Sequence, residues 1–441
     1  MKLMSENGAL VLILLLGLVI RLVSLVPIHA NGYTSDEREY VYIAKNVAAG
    51  NGFIDSNGEL SKRSPLYPIA LGYLFRIFGE SLWLPHIIGC LLGTLLIVLG
   101  YKLSMDVWPD GRVAIVTAAA IALYPGLIIY AGLLQTETLY LVFMLLAFIA
   151  AFRLINSGRI ADALLLGITS GLATLTRAVF LGFFPFLLIL LWWKRRQAGE
   201  REFVPLMVAT AMFCLVLLPW TIRNYSVHGA LVPVSSWGGQ ALLIGNNPYA
   251  TGTWSVKPGF DEWYMEQAAG LGIADPKSLR ELEQRALDRT IALDYIKSHP
   301  FHVMWLDLKK TYMFWIYPIT HSDTYLPAQA IAVASDFLLY IGGAIGLIAL
   351  WQDRKRLMPL FVAVAFFALV QVVLHSESRY RLPLVPVFCL LSGWGSVMMV
   401  DRVRRNEFFS HYGQRLATGI LAGFIVLVYS FTGWLFLIGR I

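Results

Sequence analysis

Apolar positions in this chain come in long blocks rather than in alternation. Runs of roughly 20 apolar residues, the length that crosses a bilayer as a helix, are separated by short polar or basic stretches. The pattern predicts about eleven spans, near residues 9–26, 82–104, 113–130, 139–155, 163–175, 179–193, 204–219, 331–351, 360–374, 382–400 and 416–438. The first ends at Pro27-Ile28-His29-Ala30 without the small-x-small pattern of a cleaved signal, so it reads as a span. Two long polar segments, 27–80 and 220–325, interrupt the series. The first holds a short apolar piece, Ile69–Phe78, placed at the membrane interface. The second begins at Trp220 and carries the turn-rich Gly245-Asn246-Asn247-Pro248. A charged helical pattern follows at about Ser278–Lys297. Then comes an amphipathic stretch, Phe301–Tyr317, with Trp305, Phe314 and Trp315 among Lys309 and Lys310. That mixture suits a helix lying in the interface. The whole chain, 1–441, reads as one all-α polytopic membrane domain with no soluble C-terminal domain.

Composition fits this class. The chain is 57% hydrophobic and 14% charged, with mean hydropathy +0.64, more apolar surface than a soluble protein of this length can hide. The net charge of +7 sits largely in short loops between spans, where it sets orientation, and no nucleic-acid partner is expected. Cys90, Cys214 and Cys389 all fall inside apolar runs and read as small core residues, with no disulfide or metal spacing.

The charges order the topology. With the N-terminus inside, the inner turns hold Lys102 and Arg112, Arg153 and Arg159, Lys194–Arg196, Arg354–Arg356, and Arg402–Arg405. All are basic, as the positive-inside rule asks. The outer face then receives both long segments, Glu137, Arg177 and the turn containing Arg379. The unusual polar residues at span ends gather on the extracytoplasmic side. The spans are nearly free of charge centrally; Arg21 and Asp336, both towards outer ends, are the exceptions.

Candidate chemistry lies on that side. Asp36 and Glu37 are adjacent carboxylates just past the first span. Thr34-x-x-Glu37 has the form of a capping box, and Asp36 in the first turn would be favoured by the helix dipole. Asp36 and Tyr40 share a helix face, and a carboxylate there can take a proton from a hydroxyl. Lys62, Arg63, Arg177, Arg223, Arg379 and Arg381 flank the same segments. Snorkelling to headgroups accounts for any single one; together they suit phosphate oxygens and the charge on a departing phosphate. Glu137 is a partner for one of them or a plain span-end acid. His321-Ser322-Asp323 and His375-Ser376-Glu377 each offer two ligand types for a divalent metal, without a third at a matching spacing. No phosphate-cradling glycine loop is present.

With these residues laid out, the chain resembles the GT-C fold glycosyltransferases, in particular the ArnT and protein O-mannosyltransferase group. The resemblance runs over nearly the whole chain. It rests on Asp36-Glu37 with Tyr40, Ile43-Ala44 and Gly50-x-Gly52-Phe53, then Pro65-Leu66-Tyr67-Pro68, Leu175-Thr176-Arg177, and Pro219-Trp220-x-x-Arg223-Asn224. Gly245-Asn246-Asn247-Pro248 and Arg379-Tyr380-Arg381-Leu382-Pro383 complete it. It implies an inverting transfer of a sugar from a polyprenyl-phosphate donor to an acceptor outside the cytoplasm, with the enzyme in the plasma or inner membrane. Asp36 matches the family's first-loop catalytic acid, and Glu37 beside it is a second catalytic candidate. Lys62, Arg63, Arg223, Arg379 and Arg381 are candidates for the donor phosphate, supported by Tyr40, Tyr67, Glu137, Arg177 and Asn246. Relatives of the ArnT type bind donor phosphate with a basic residue directly before a proline; here Ser64 stands between Arg63 and Pro65. The acceptor is a glycolipid, a glycan or a protein hydroxyl. Rival readings are a ligase or polymerase of lipid-linked polysaccharides, a lipid-linked sugar flippase or transporter, and a non-catalytic scaffold. A transporter would place ionisable groups near the bilayer midplane in repeated halves, and a scaffold gives no reason to cluster acids and arginines on one face.

Overall fold

The computed structural model describes residues 6–30, 32–81, 83–197, 199, 203–316, 326–349 and 355–404. The expected eleventh span, near 416–438, and His321 and Asp323 lie outside the described residues. Among the described residues, 17 α-helices, the 3-10 helices Pro276–Ser278 and Ser378–Leu384 and one isolated bridge, Ala250 to Val256, make up the regular structure. Helix α1 is Glu6–Ala30, α2 Ser35–Ala49, α3 Leu66–Phe78, α4 Trp83–Val107, α5 Gly111–Leu123, α6 Pro125–Gly132, α7 Glu137–Ser157, α8 Ile160–Thr176 and α9 Val179–Gln197. Then follow α10 Val204–His228, α11 Gly238–Gly245, α12 Phe260–Gly270, α13 Glu281–Ser298, α14 Pro300–Ile316, α15 Leu326–Ala349, α16 Met358–Val373 and α17 Val385–Arg404. Each of the first ten expected spans falls on a helix, the third on the pair α5 and α6. By length and apolar composition, 5 helices among the described residues are able to cross a membrane, or 6 if a bent pair is one span. This is an integral membrane protein of all-α architecture.

Helix α7 is the centre. It is buried nearly all round, packs on α4 and α8, and feeds Tyr140, Met144, Phe148 and Phe152 into the main core. Helix α10 lies on α8, and α15 on α17, which in turn rests on α5. Helix α1 covers α4, α5 and α6. Its lipid-side positions Val11, Leu15, Val19 and Val23 are more than half exposed, as expected where lipid rather than protein is the neighbour.

The third expected span is not continuous: α5 and α6 meet at Tyr124 with a bend of 55°. Pro125 explains it. Proline brings no N–H and pushes the preceding residue out of the helical region, and Tyr124 is extended at φ −69°, ψ 119°. The break strands the carbonyls of Ile121 and Ala122. Arg21 answers them, donating to Ala122 O at 3.2 Å and Ile121 O at 3.2 Å, and to Gly17 O at 3.0 Å. The buried arginine of the first span is thus the donor that Pro125 removed.

Helix α10 carries on through Pro219 to His228, so Arg223 and Asn224 lie on its last turns rather than in the following loop. A returning segment secures that extension. The Trp220 indole donates to Val234 O at 2.8 Å, and the Asn224 amide donates to Val232 O at 2.9 Å.

The long polar segments fold as compact pieces. Helix α2 lies along α3, and α11, α12 and α13 share a small core of Leu243, Ala268, Leu287, Ile291 and Ala292. Helix α14 exposes Phe301, Met304, Trp305 and Leu308, spaced as one helix face. That apolar stripe suits the interface. Lys310, by contrast, is fully buried and donates to Val372 O at 2.8 Å and Asn246 Oδ1 at 3.1 Å.

The other charge inside the spans, Asp336 on α15, has one oxygen on the Tyr124 hydroxyl and the other 2.7 Å from Arg381. Arg381 also donates to Phe314 O. Both members of the pair are about 1% exposed. Removing one partner leaves a buried charge unmatched, while replacing both is far milder. Asp336→Ala is therefore expected to destabilise the protein by about 3–5 kcal/mol, and the double change Asp336→Ala with Arg381→Met by clearly less. Thermal unfolding of the detergent-solubilised protein checks both. Additive losses would show that the pair is not coupled.

Candidate active site

The site starts from the cap of α2. Thr34 Oγ1 accepts from Glu37 N at 3.0 Å, and Glu37 returns the bond to Thr34 N at 2.9 Å. This is the reciprocal capping box the sequence pattern implies. The second Glu37 oxygen accepts from Leu134 N at 2.8 Å, just beyond α6. Both oxygens of this fully buried acid are therefore held by backbone amides. Glu37 and Asp36 sit side by side in the chain but in different surroundings, and the geometry gives Glu37 a holding role.

Asp36 faces side chains from opposite ends of the chain. Its Oδ1 accepts from Arg63 Nη2 at 2.9 Å, and its Oδ2 from Arg379 Nη1 at 2.6 Å. The carboxylate is 17% exposed. Burial alone would push its pKa up; the Arg379 and Arg63 charges and their hydrogen bonds outweigh it and hold the pKa at about 2. The Nε atoms of Arg63 and Arg379 are buried and carry no hydrogen bond. The clamp thus retains donors aimed at nothing in the described chain.

A further layer surrounds the clamp. Arg379 Nη1 also donates to Gln135 Oε1 at 3.3 Å, and Gln135 Nε2 to Thr34 Oγ1 at 3.1 Å. Glu137 takes Arg177 at 2.7 Å and lies 4.0 Å from Arg379. Arg177 lies over the Tyr380 ring at 5.2 Å and Arg63 over Tyr40 at 5.4 Å. Tyr40 meets Tyr67 edge to face at 5.5 Å. Ser64, the extra residue between Arg63 and Pro65, accepts from Ala178 N at 3.1 Å through its Oγ. It fastens the first segment to the bend that carries Arg177.

Tyr67 and Gln135 lead from the clamp into an apolar cavity of about 130 Å³ between α3, α4 and the start of α7, lined also by Leu71, Leu74, Ile88 and Leu139.

The remaining expected residues lie elsewhere. Arg223 sits at the far side of the first segment, donating to Leu60 O at 2.7 Å and Phe53 O at 3.2 Å and lying over the Trp220 ring. Lys62 pairs with Glu59 at 2.7 Å and Asp55 at 3.7 Å, and burial pulls its pKa down despite Asp55. Arg381 is turned into the bundle onto Asp336, although only Tyr380 separates it from Arg379. Asn246 is spent on Lys310, Leu242 O and Val373 O. Among the described residues, no group of three or more His, Cys, Asp or Glu side chains is placed to hold a metal. Gln135 and the aromatic neighbours Trp237 and Trp254 were not legible as site residues. The polar triplet Gln135-Thr136-Glu137 at a span end was the available signal for the first.

Glu37→Ala is expected to destabilise α2 by about 2–3 kcal/mol, since Thr34 N and Leu134 N lose their acceptor. Hydrogen exchange of the α2 amides reads this; unchanged protection would contradict it.

Residues 62–222 match the family model described as dolichyl-phosphate-mannose-protein mannosyltransferase. A curated relative, the undecaprenyl phosphate-alpha-4-amino-4-deoxy-L-arabinose arabinosyl transferase of Pseudomonas aeruginosa, is 26% identical over 214 residues, 46% of this chain and 38% of that protein. The protein of the same description from Pseudomonas savastanoi pv. phaseolicola is 26% identical over 228 residues, covering 49% of this chain and 41% of its own length. The match therefore spans well under two thirds of these relatives. The crystal structure of the apo Archaeoglobus fulgidus oligosaccharyltransferase superposes over 97% of this chain and 54% of that one, with TM-score 0.57 and 16% identity. This likeness speaks for the fold. Taken with the clamp and the helix order, these findings make the chain a GT-C fold membrane protein similar to the protein mannosyltransferase and ArnT group.

Proposed function

We propose that this protein is an inverting glycosyltransferase that moves a sugar from a polyprenyl-phosphate donor to an acceptor hydroxyl on the extracytoplasmic side of the membrane. The observation that carries the reading is the clamp, a single carboxylate shared by two arginines that keep unused donors, linked through Gln135 and Tyr67 to an apolar cavity. A polyprenyl phosphate offers the complement: an anion for the guanidiniums and an isoprenoid chain for the cavity beside Tyr67 and Leu71. The basic inner turns support a cytoplasmic N-terminus and an outward-facing site.

In the transfer, the acceptor oxygen attacks the anomeric carbon from the face opposite the phosphate. The new C–O bond forms as the bond to the phosphate oxygen breaks. That oxygen keeps the electron pair, and the arginines take up its added charge. Asp36 receives the acceptor hydroxyl proton. In the resting clamp it is a poor base, with a pKa of about 2. A donor phosphate competing for Arg63 and Arg379 removes the groups that depress it, and the pKa climbs towards the ordinary carboxylate range. Base strength is then tied to donor occupancy. Glu37 and Glu137 contribute by holding α2 and Arg177.

The sign for stability follows from the same shift. A depressed carboxylate pKa stabilises the fold above its unfolded value near 4, and the contribution is lost as pH falls through about 2. The empty clamp therefore does not titrate across neutral pH.

Asp36→Asn is expected to lower transfer by about 10²–10⁴-fold while binding polyprenyl phosphate at least as tightly, because a competing anion is gone. Release of polyprenyl phosphate from a panel of polyprenyl-phosphate sugars, read by mass spectrometry, measures the first; a binding isotherm in nanodiscs measures the second. Near-normal turnover by Asp36→Asn would remove Asp36 from the mechanism.

A further inference from the structure

Aromatic contacts close a ring on Asp36. Arg63, which holds Asp36 Oδ1, lies over the Trp237 ring at 5.4 Å. Trp237 stacks on Trp254 with centroids 4.9 Å apart and planes 22° from parallel. Trp254 meets His375 at 5.4 Å, and His375 Nε2 lies 3.2 Å from the Tyr380 hydroxyl. Arg379, which holds Asp36 Oδ2, lies over the Tyr380 ring at 5.6 Å. Of these residues His375 is buried and Trp254 is the open one, 41% exposed.

Trp254 is also fixed in place. Its backbone N–H donates to Glu377 Oε1 at 3.0 Å, and Ser376 N donates to Gly252 O at 2.9 Å. The loop bearing Trp254 is thereby tied to the turn bearing Arg379. The hydroxyls of Thr251, Thr253 and Ser255 lie within 3.1 Å of one another beside it. Trp237 has Lys62 at 5.0 Å and Arg285 at 5.9 Å from its ring centre besides Arg63. One indole is thus occupied by cations, and its partner presents an exposed aromatic surface joined to the clamp through Trp237 and Arg63.

We propose that Trp254, backed by Trp237, is the platform on which the acceptor's sugar ring stacks, so that the acceptor is a carbohydrate: a glycan or a glycolipid headgroup rather than a protein hydroxyl. A pyranose has one face of C–H bonds, and these partly positive hydrogens pack on the electron-rich face of an indole. Hydroxyl and carboxylate groups at the rim, here Thr253, Ser255 and Glu377, suit the equatorial hydroxyls of the same ring. The route of the donor leaves this side vacant. Arg63 touches two rings; Tyr40 leads to Tyr67 and the apolar cavity, whereas Trp237 leads to Trp254 and water. The proposal rests on the transferase reading for the name acceptor, but the stacking surface is testable without turnover.

The test has two arms on the full chain in nanodiscs. Saturation-transfer NMR with maltose, lactose and chitobiose as probes reads stacking directly. Wild type and Trp254→Phe are expected to pass saturation to ring C–H protons of at least one disaccharide, and Trp254→Ala to lose it. The second arm follows labelled polyprenyl-phosphate sugar in membranes of the source organism. Label is expected in the glycolipid or glycan fraction. Trp254→Ala is expected to raise the half-saturating acceptor level about fivefold to tenfold, more than it changes the half-saturating donor level, with Trp254→Phe restoring most of the affinity. No saturation transfer to any probe, or equal transfer with Trp254→Ala, overturns the platform. Label in protein, or a shift confined to the donor, overturns its assignment to the acceptor. Absence of polyprenyl-phosphate release by the wild type would instead strike the transferase reading, and the NMR arm would still decide the platform.

Discussion

The structure around the candidate site depends on one shared carboxylate. Asp36 joins Arg63 from the first long segment to Arg379 from a turn more than 300 residues later, within hydrogen-bond distance of both. A mostly buried acid between two guanidiniums is stable only if all three are held from behind. Much of the surrounding fold supplies that hold. Glu37 locks the cap of α2 to Leu134 N, Ser64 fastens the arginine segment to the α8–α9 bend, and Gln135 and Glu137 brace Arg379. Within the helix bundle, Asp336 takes Arg381 and Tyr124 and so anchors the turn on which Arg379 rides.

The same arrangement poses a question of competition. The charges proposed to bind a phosphate are at rest neutralised by the group proposed to act as base. The protein thereby avoids two bare guanidiniums at a membrane surface, and it avoids a carboxylate that would take up a proton before the donor arrives. Exchange of partners on donor binding would convert one arrangement into the other with no change in net charge of the protein.

The sequence carried a good part of this, for physical reasons that can be named. Spans are legible because lipid demands long apolar helices, and the first ten expected spans lie on helices of the structure, of which 5 to 6 are long and apolar enough to cross a membrane. The capping box at Thr34 and Glu37 is local chemistry within one turn, so it too could be read. What was not legible was direction. Arg379 and Arg381 look alike in sequence, yet the 3-10 turn Ser378–Leu384 sends one to Asp36 and the other into the bundle. Lys310 looks like a polar-face lysine and is buried, because an amide and a carbonyl from distant segments meet it. Arg21 in an apolar span gains its sense only with the break at Pro125, about one hundred residues on. Trp237 and Trp254 belong to no periodic pattern, and only the fold stacks them beside the clamp.

Comparison of the clamp with and without donor lipid tests the central claim most directly. A cryo-EM structure of the protein in nanodiscs with polyprenyl phosphate would locate the anion. The account predicts phosphate oxygens within hydrogen-bond reach of Arg63 and Arg379, the isoprenoid chain entering beside Tyr67 and Leu71, and Asp36 parted from at least one arginine. Phosphate bound elsewhere, with Asp36 still joined to both arginines, would contradict it.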